Sequence, residues 1–180
     1  LQKDKYNRSY YVTAEMIASH VGHILTYNNP GYGIPHGILN WPAHGNTENG
    51  EAQQLANFID HNNNGIYEPL LGEFPKIYGD NCYLTIYHQL DQGALSNKLE
   101  VHRYLYNFDC DTNEVLRNTV FCHNKFINRG GDLTDVYVGS YIDYDIGYAA
   151  DDFIGTNVEL GMIYGYNGDL FDETNGSQNG

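Results

Sequence analysis

Cationic side chains are scarce in this chain: 9 Lys and Arg stand against 23 Asp and Glu, a net charge of −14 over 180 residues. Nucleic-acid recognition needs a basic footprint, so that class of partner is excluded, and attraction to anionic membrane surfaces goes with it. No apolar run is long enough for a bilayer-spanning helix, which argues against direct membrane insertion. Cysteine is almost as sparse, with Cys82, Cys110 and Cys122 alone. The lack of any CxxC pair argues against a thiolate zinc site and thioredoxin-like chemistry. Cys82 and Cys122 lie in strand-like apolar runs and read as buried thiols, whereas Cys110 looks the most exposed; one disulfide stays open. A GxSxG elbow, an HExxH helix and a P-loop are all missing, and the corresponding hydrolase, protease and nucleotide-binding signatures are missing with them. No signal peptide is visible, and residue 1 reads as the start of a window into a longer chain.

What the chain does have is tyrosine, 17 residues of it, suited to half-buried strand faces and ligand-contacting surfaces. Its length suffices for one domain with a real core. The most informative stretch is Asp60-His61-Asn62-Asn63-Asn64-Gly65-Ile66-Tyr67-Glu68-Pro69, closed by Gly72-Glu73-Phe74-Pro75. Oxygen-bearing side chains alternate (Asp60, Asn62, Asn64), a Gly takes the sharp turn, and Ile66 can offer only its carbonyl. This is the layout of an EF-hand-type calcium loop. Glu68 holds the ninth position, where an acid helps through a water. Leu71 occupies the twelfth, where a bidentate acid belongs, and Glu73 is the available substitute. An Asn/Gly turn without metal would satisfy the backbone alone. Strict register plus two downstream acids favours the metal.

The rest is read in order. Thr13 is an N-cap for a helix over about 14–26, with Met16, Ile17, His20, Val21 and Ile24 on one face. His20 and His23 lack the zincin spacing, and His20 reads as a hydrogen-bonded packing histidine. The Gly/Pro-rich loop 31–46 carries Trp41 with His36 and His44 around it. Trp41 either plugs a core edge or lines a sugar or peptide groove, so Trp41 and His44 are candidate ligand contacts. Residues 51–59 look like a short helix. Strands follow at 82–89, 101–108, 119–128, 134–143 and 158–166, with turns at 91–93 and 129–132. The expected fold is mainly β, an antiparallel β-sandwich-like module with a short helical N-terminal part and calcium-binding loops. Its expected divisions are a helical and loop part over 1–59 packed on the sheet, the calcium-loop and sandwich module over 60–170, and a tail or linker over 171–180.

A second acidic group, Asp143, Asp145, Asp151 and Asp152, crowds one strand end. Two carboxylates about 5 Å apart repel by roughly 3 kcal/mol at an effective dielectric near 20. Such a group must splay into water, take up protons or share a cation, and a second calcium site is the favoured reading. The enzyme alternative uses the same acids as a glycosidase pair with a Trp/Tyr sugar platform. Acids adjacent or two apart in a loop do not straddle a scissile bond, so a non-catalytic module is preferred.

Five segments in order, Asn40–Asn46, Asp60–Pro75, Val120–Arg129, Asp143–Gly155 and Tyr166–Asp169, resemble a family of secreted and surface proteins of Bacteroidota exported by the type IX secretion system. The likeness implies an extracellular, calcium-binding region of a longer protein, secreted or attached to the cell surface, with its C-terminal sorting domain outside this window. One departure is Thr156-Asn157, where relatives often carry a Cys-Asp pair. The expected function is a calcium-stabilised module serving adhesion, glycan contact or extracellular assembly. Its partners would be a glycan, a protein ligand or neighbouring subunits. The alternatives are a polysaccharide-active hydrolase and a subunit of an extracellular polymer that accepts a donated strand.

Overall fold

Alternation along residues 81–89 sets one face of a strand apolar and the other polar-aromatic, and the fold is built on that strand. The computed structural model describes residues 9–24, 31–49, 51–89, 99–144, 146, 148 and 150–169. Within them the chain forms β1 (Ser9–Thr13), α1 (Ala14–Gly22), α2 (His36–Leu39), β2 (Phe58–Ile59), β3 (Phe74–Pro75), β4 (Asn81–Gln89), β5 (Leu99–Asn107), α3 (Glu114–Arg117), β6 (Phe121–Asn128), β7 (Asp152–Asn157) and β8 (Met162–Asn167). The fold is mainly β and antiparallel, with few helices. One sheet has four strands in the order β1-β4-β5-β6, and β2-β3 and β7-β8 form two-stranded sheets.

The chain divides into two compact units, residues 1–133 and 134–180. In the first, Tyr10 and Val12 of β1, Cys82, Leu84 and Ile86 of β4 and Tyr104 of β5 bury one sheet face. Ile38, Trp41, Ala43, Leu55 and Ala56 pack against it. Residues on both sides of position 59 therefore share one core. Loops and short helices join this core instead of a second multi-stranded sheet, so the described residues do not display the expected sandwich.

Several local expectations need correction. Residues 9–13 form β1, with Tyr10 and Val12 alternating inward against Leu84 and Cys82. Thr13 does cap α1, its hydroxyl accepting the Met16 N–H at 3.0 Å. The α-helix stops at Gly22 and a wider turn follows at 23–24. His20 is buried as expected, but among the described residues neither ring nitrogen makes a well-formed hydrogen bond, the backbone carbonyls of Glu73 and Pro69 only lying near. Burial lowers its pKa, opposed by the backbone carbonyls of Glu73 and Pro69. No helix forms over 51–59. That stretch bridges Gln54 to His44 and then pairs Phe58 and Ile59 with Pro75 and Phe74. Residues 134–143 form no strand, whereas the final strand expected over 158–166 is a hairpin, β7 and β8 around the turn 158–161.

All three thiols are free. Cys82 is buried, but Cys122 lies exposed on β6, facing out beside Asn124, so the burial expected for it is not found. The expected turn at 91–93 and the tail after 170 lie outside the described residues. No helix among the described residues is long and apolar enough to cross a membrane.

Candidate functional site

The Asp60 loop is held by its own oxygen atoms. Asp60 accepts the Gly65 N–H through Oδ2 at 2.7 Å and the Asn64 N–H through Oδ1 at 3.3 Å. Asn62 Oδ1 accepts the Asn64 N–H at 3.0 Å, and Asn64 Oδ1 accepts the Ile66 N–H at 2.7 Å. These are Asx-type turns, the reason short amide and acid side chains recur here. They need left-handed backbone at Asn63 (φ 58°) and Gly65 (φ 76°). The two side-chain amides, Asn62 Nδ2 and Asn64 Nδ2, donate to Glu68 Oε2 at 2.9 and 2.7 Å. Asp60, Asn62, Asn64 and Glu68 thus form one connected set. Among the described residues nothing donates to the Ile66 carbonyl, while the Ile66 side chain faces water.

Glu73 closes the frame. The turn over Pro69–Leu71 ends at Gly72 (φ 92°), and this returns Glu73 beneath the loop. Its side chain is 1% exposed, with Oε1 accepting the His61 N–H at 3.1 Å and Oε2 the Glu68 N–H at 2.7 Å. Glu73 therefore spans the loop from its second to its ninth position. Glu73, expected as the substitute for the twelfth position, has one lone pair on each oxygen committed to the backbone.

Charge accumulates here. Partial removal from water pushes the Asp60 carboxyl up. The N–H groups of Gly65, Asn63 and Asn64 outweigh this and hold it below the usual carboxylate range. The buried Tyr67 hydroxyl is pushed up by burial and then by the Glu73 charge. No Lys or Arg among the described residues forms an ion pair with Asp60, Glu68 or Glu73. The donors are oxygen only: acid, amide and carbonyl. That composition fits a hard cation such as calcium. Among the described residues no three His, Cys, Asp or Glu side chains gather into a metal-holding group, so amide and carbonyl oxygens would have to complete the set.

His44 and Trp41 have other work than the ligand contacts expected of them. His44 Nδ1 donates to the Gln53 carbonyl at 3.0 Å, which leaves Nε2 to accept the Tyr67 N–H at 3.0 Å. The ring is a clamp on the loop, a role that sequence distance concealed. Tyr67 adds a second tie, its hydroxyl donating to the Ile38 carbonyl at 2.7 Å. Trp41 is 4% exposed, with Nε1 donating to the Asn57 carbonyl at 3.0 Å and its ring edge-on to Tyr10. It belongs to the core and offers no face to a sugar.

In the second acidic group Asp145 lies outside the described residues. Asp143 is exposed, Asp151 and Asp152 are half-buried, and Asp152 Oδ2 accepts the Ile146 N–H at 2.8 Å. Their described parts pin the entry to β7 and form no collected site. No family model matches the chain, and no curated protein or solved structure matches it either.

Proposed function

We propose that this chain is a calcium-stabilised, non-catalytic module of a secreted or cell-surface protein, with the Asp60–Glu73 loop as its cation site. The observation that carries this reading is Glu73: a carboxylate almost wholly withdrawn from water, beside a second carboxylate, with no Lys or Arg among the described residues paired with either. An uncompensated buried charge is costly, and a bound divalent cation offsets it. Asp60, Asn62, Asn64 and Glu68 side chains and the Ile66 carbonyl would hold the ion, and Glu73 would brace the loop around it. The ion's contribution is structural, fixing a long Asn-rich turn against the core. The extracellular setting is supported by the ordered motif likeness and by the fit of a weak calcium site to a calcium-rich medium. Adhesion, glycan contact or assembly is the role proposed for the module as a whole.

At an affinity of about 0.1 mM, calcium at about 1 mM adds roughly 1.4 kcal/mol of stability. Calorimetric titration of the metal-stripped chain should show calcium binding, and chelation should lower the melting temperature. Asp60→Ala should abolish both responses. An identical melt in calcium and in chelator, with no heat of binding, would overturn the proposal.

A further inference from the structure

Residues 134–180 contain nine Asp and Glu and no Lys, Arg or His, so every cationic side chain of the chain precedes them. In this unit β7 and β8 pair Phe153 with Tyr166, Gly155 with Tyr164 and Asn157 with Met162. Directly paired residues share a sheet face, so Phe153, Met162, Tyr164 and Tyr166 line one side. The Phe153 and Tyr166 rings stack at 5.9 Å and 24°, and Tyr164 follows at 6.0 Å from Tyr166. The Tyr164 ring lies over Gly155, where any Cβ would collide with it, and this fixes the ladder's register. Yet the four side chains remain 43–53% exposed. Glu159 sits in the turn at one end of the hairpin, and Asp151 and Asp169 at the other, while Asp152, paired with Asn167, alternates to the opposite face.

We propose that this aromatic ladder docks an arginine-bearing, basic segment of another protein. A two-stranded sheet is marginal alone in water, and an exposed apolar face of this kind marks an interaction surface. The charge pattern selects the occupant. A guanidinium stacks on aromatic rings while its N–H groups bond carboxylates, and this surface supplies both with no cation of its own unit in competition. A second copy would bring the same excess of negative charge. A neutral saccharide could stack on the rings and donate its hydroxyls to the acids, but it would gain nothing from their net negative charge. The inference does not depend on the Asp60 loop, since it concerns other residues in the other unit.

The test uses the full chain and a fluorescent alternating Arg-Val octapeptide, with its citrulline-Val counterpart as an isosteric neutral control. The arginine peptide should bind roughly tenfold more tightly than the citrulline one, and the advantage should vanish at about 0.5 M salt. Tyr166→Leu, which keeps the apolar bulk, and the pair Glu159→Gln with Asp169→Asn should each weaken binding about fivefold. Hairpin integrity is read from amide NMR shifts in each variant. Tyr164 is left intact because it covers Gly155. Four outcomes would each overturn the proposal. The two peptides could bind equally. Neither substitution could matter. A neutral hexasaccharide could shift the Tyr166 signals where the arginine peptide does not. Lastly, light scattering or amide exchange could show the face already covered by a second copy or by the chain's own first unit.

Discussion

His44 Nε2 accepts the backbone N–H of Tyr67 across 23 residues of sequence, at 3.0 Å. The bond ties the Gly/Pro-rich segment to the seventh residue after Asp60, in the turn that would surround a cation. Because Nδ1 donates to Gln53, the same ring also holds the bridge between His44 and Gln54. His44→Ala leaves the Tyr67 N–H and the Gln53 carbonyl without these partners. It should cost about 1–2 kcal/mol in urea denaturation. Calcium affinity should fall severalfold with it, because the loop is no longer pre-organised. Loss of affinity without loss of stability would instead place His44 among the ion's own contacts.

Glu73 and Asp60 should separate into frame and ligand. Glu73→Ala strips an acceptor from two N–H groups, and bonds to a charged group are worth about 1.5–3 kcal/mol each. The expected loss is already roughly 3 kcal/mol in chelator, because the frame is needed without the ion, and somewhat larger in calcium, which no longer has the Glu73 charge to offset. Asp60→Ala should cost about 1 kcal/mol in chelator, where its N–H partners can turn to water, and clearly more in calcium. Denaturation curves of both variants under both conditions give the four numbers. Equal behaviour of the two would remove the distinction.

The alternation Cys82, Leu84, Ile86 made β4 readable before any coordinates, and the Asp60 register made its turn readable, because both are local patterns. Residues 51–59 misled for the opposite reason. Ala52, Leu55, Ala56 and Ile59 have helical spacing, but the pairing of Phe58 with Pro75 and of Gln54 with His44 holds the segment extended. Tertiary contact overrode propensity. Residues 134–143 show the reverse error: alternation is present, yet Tyr137 and Tyr141 stand about nine-tenths exposed with no partner strand among the described residues. His44 as a clamp could not be read at all, since nothing local links it to Tyr67.

Gly37 and Gly33 give a paired test of the packing of α2 on β1. A Cβ on Gly37 would overlap the Tyr11 carbonyl oxygen and crowd Val12, both in a strand already hydrogen-bonded to β4. Neither backbone can retreat without opening the sheet. Gly37→Ala should therefore destabilise by about 2–3 kcal/mol. At Gly33 a Cβ would meet nothing within 4 Å among the described residues. Gly33→Ala should be neutral or stabilising by about 0.5 kcal/mol through the unfolded chain. Thermal melts of the two variants decide it, and a harmless Gly37→Ala would mean that α2 does not sit on β1 so closely.

Glu100 should make the first unit acid-sensitive. Burial alone pushes its carboxyl up, but hydrogen bonds from His102 (2.7 Å) and Arg129 (2.8 Å), with the Arg129 charge, outweigh burial and hold it at about 2, from an ordinary 4.5. The folded state thus favours the ionised form. Its contribution is complete above the unfolded value near 4.5 and is lost as pH falls from there through about 2. The full shift would correspond to about 3 kcal/mol. With the Arg129 side chain 36% exposed, screening reduces the expected loss to about 2 kcal/mol. Urea denaturation at about pH 6 and pH 2.5 should show this difference in the native chain. In Glu100→Gln the stability at the higher pH should drop, and the part of the acid dependence due to this carboxylate should vanish. If both proteins lose equal stability over that range, the acid sensitivity belongs to other carboxylates, and the Glu100–Arg129 pair contributes too little to register.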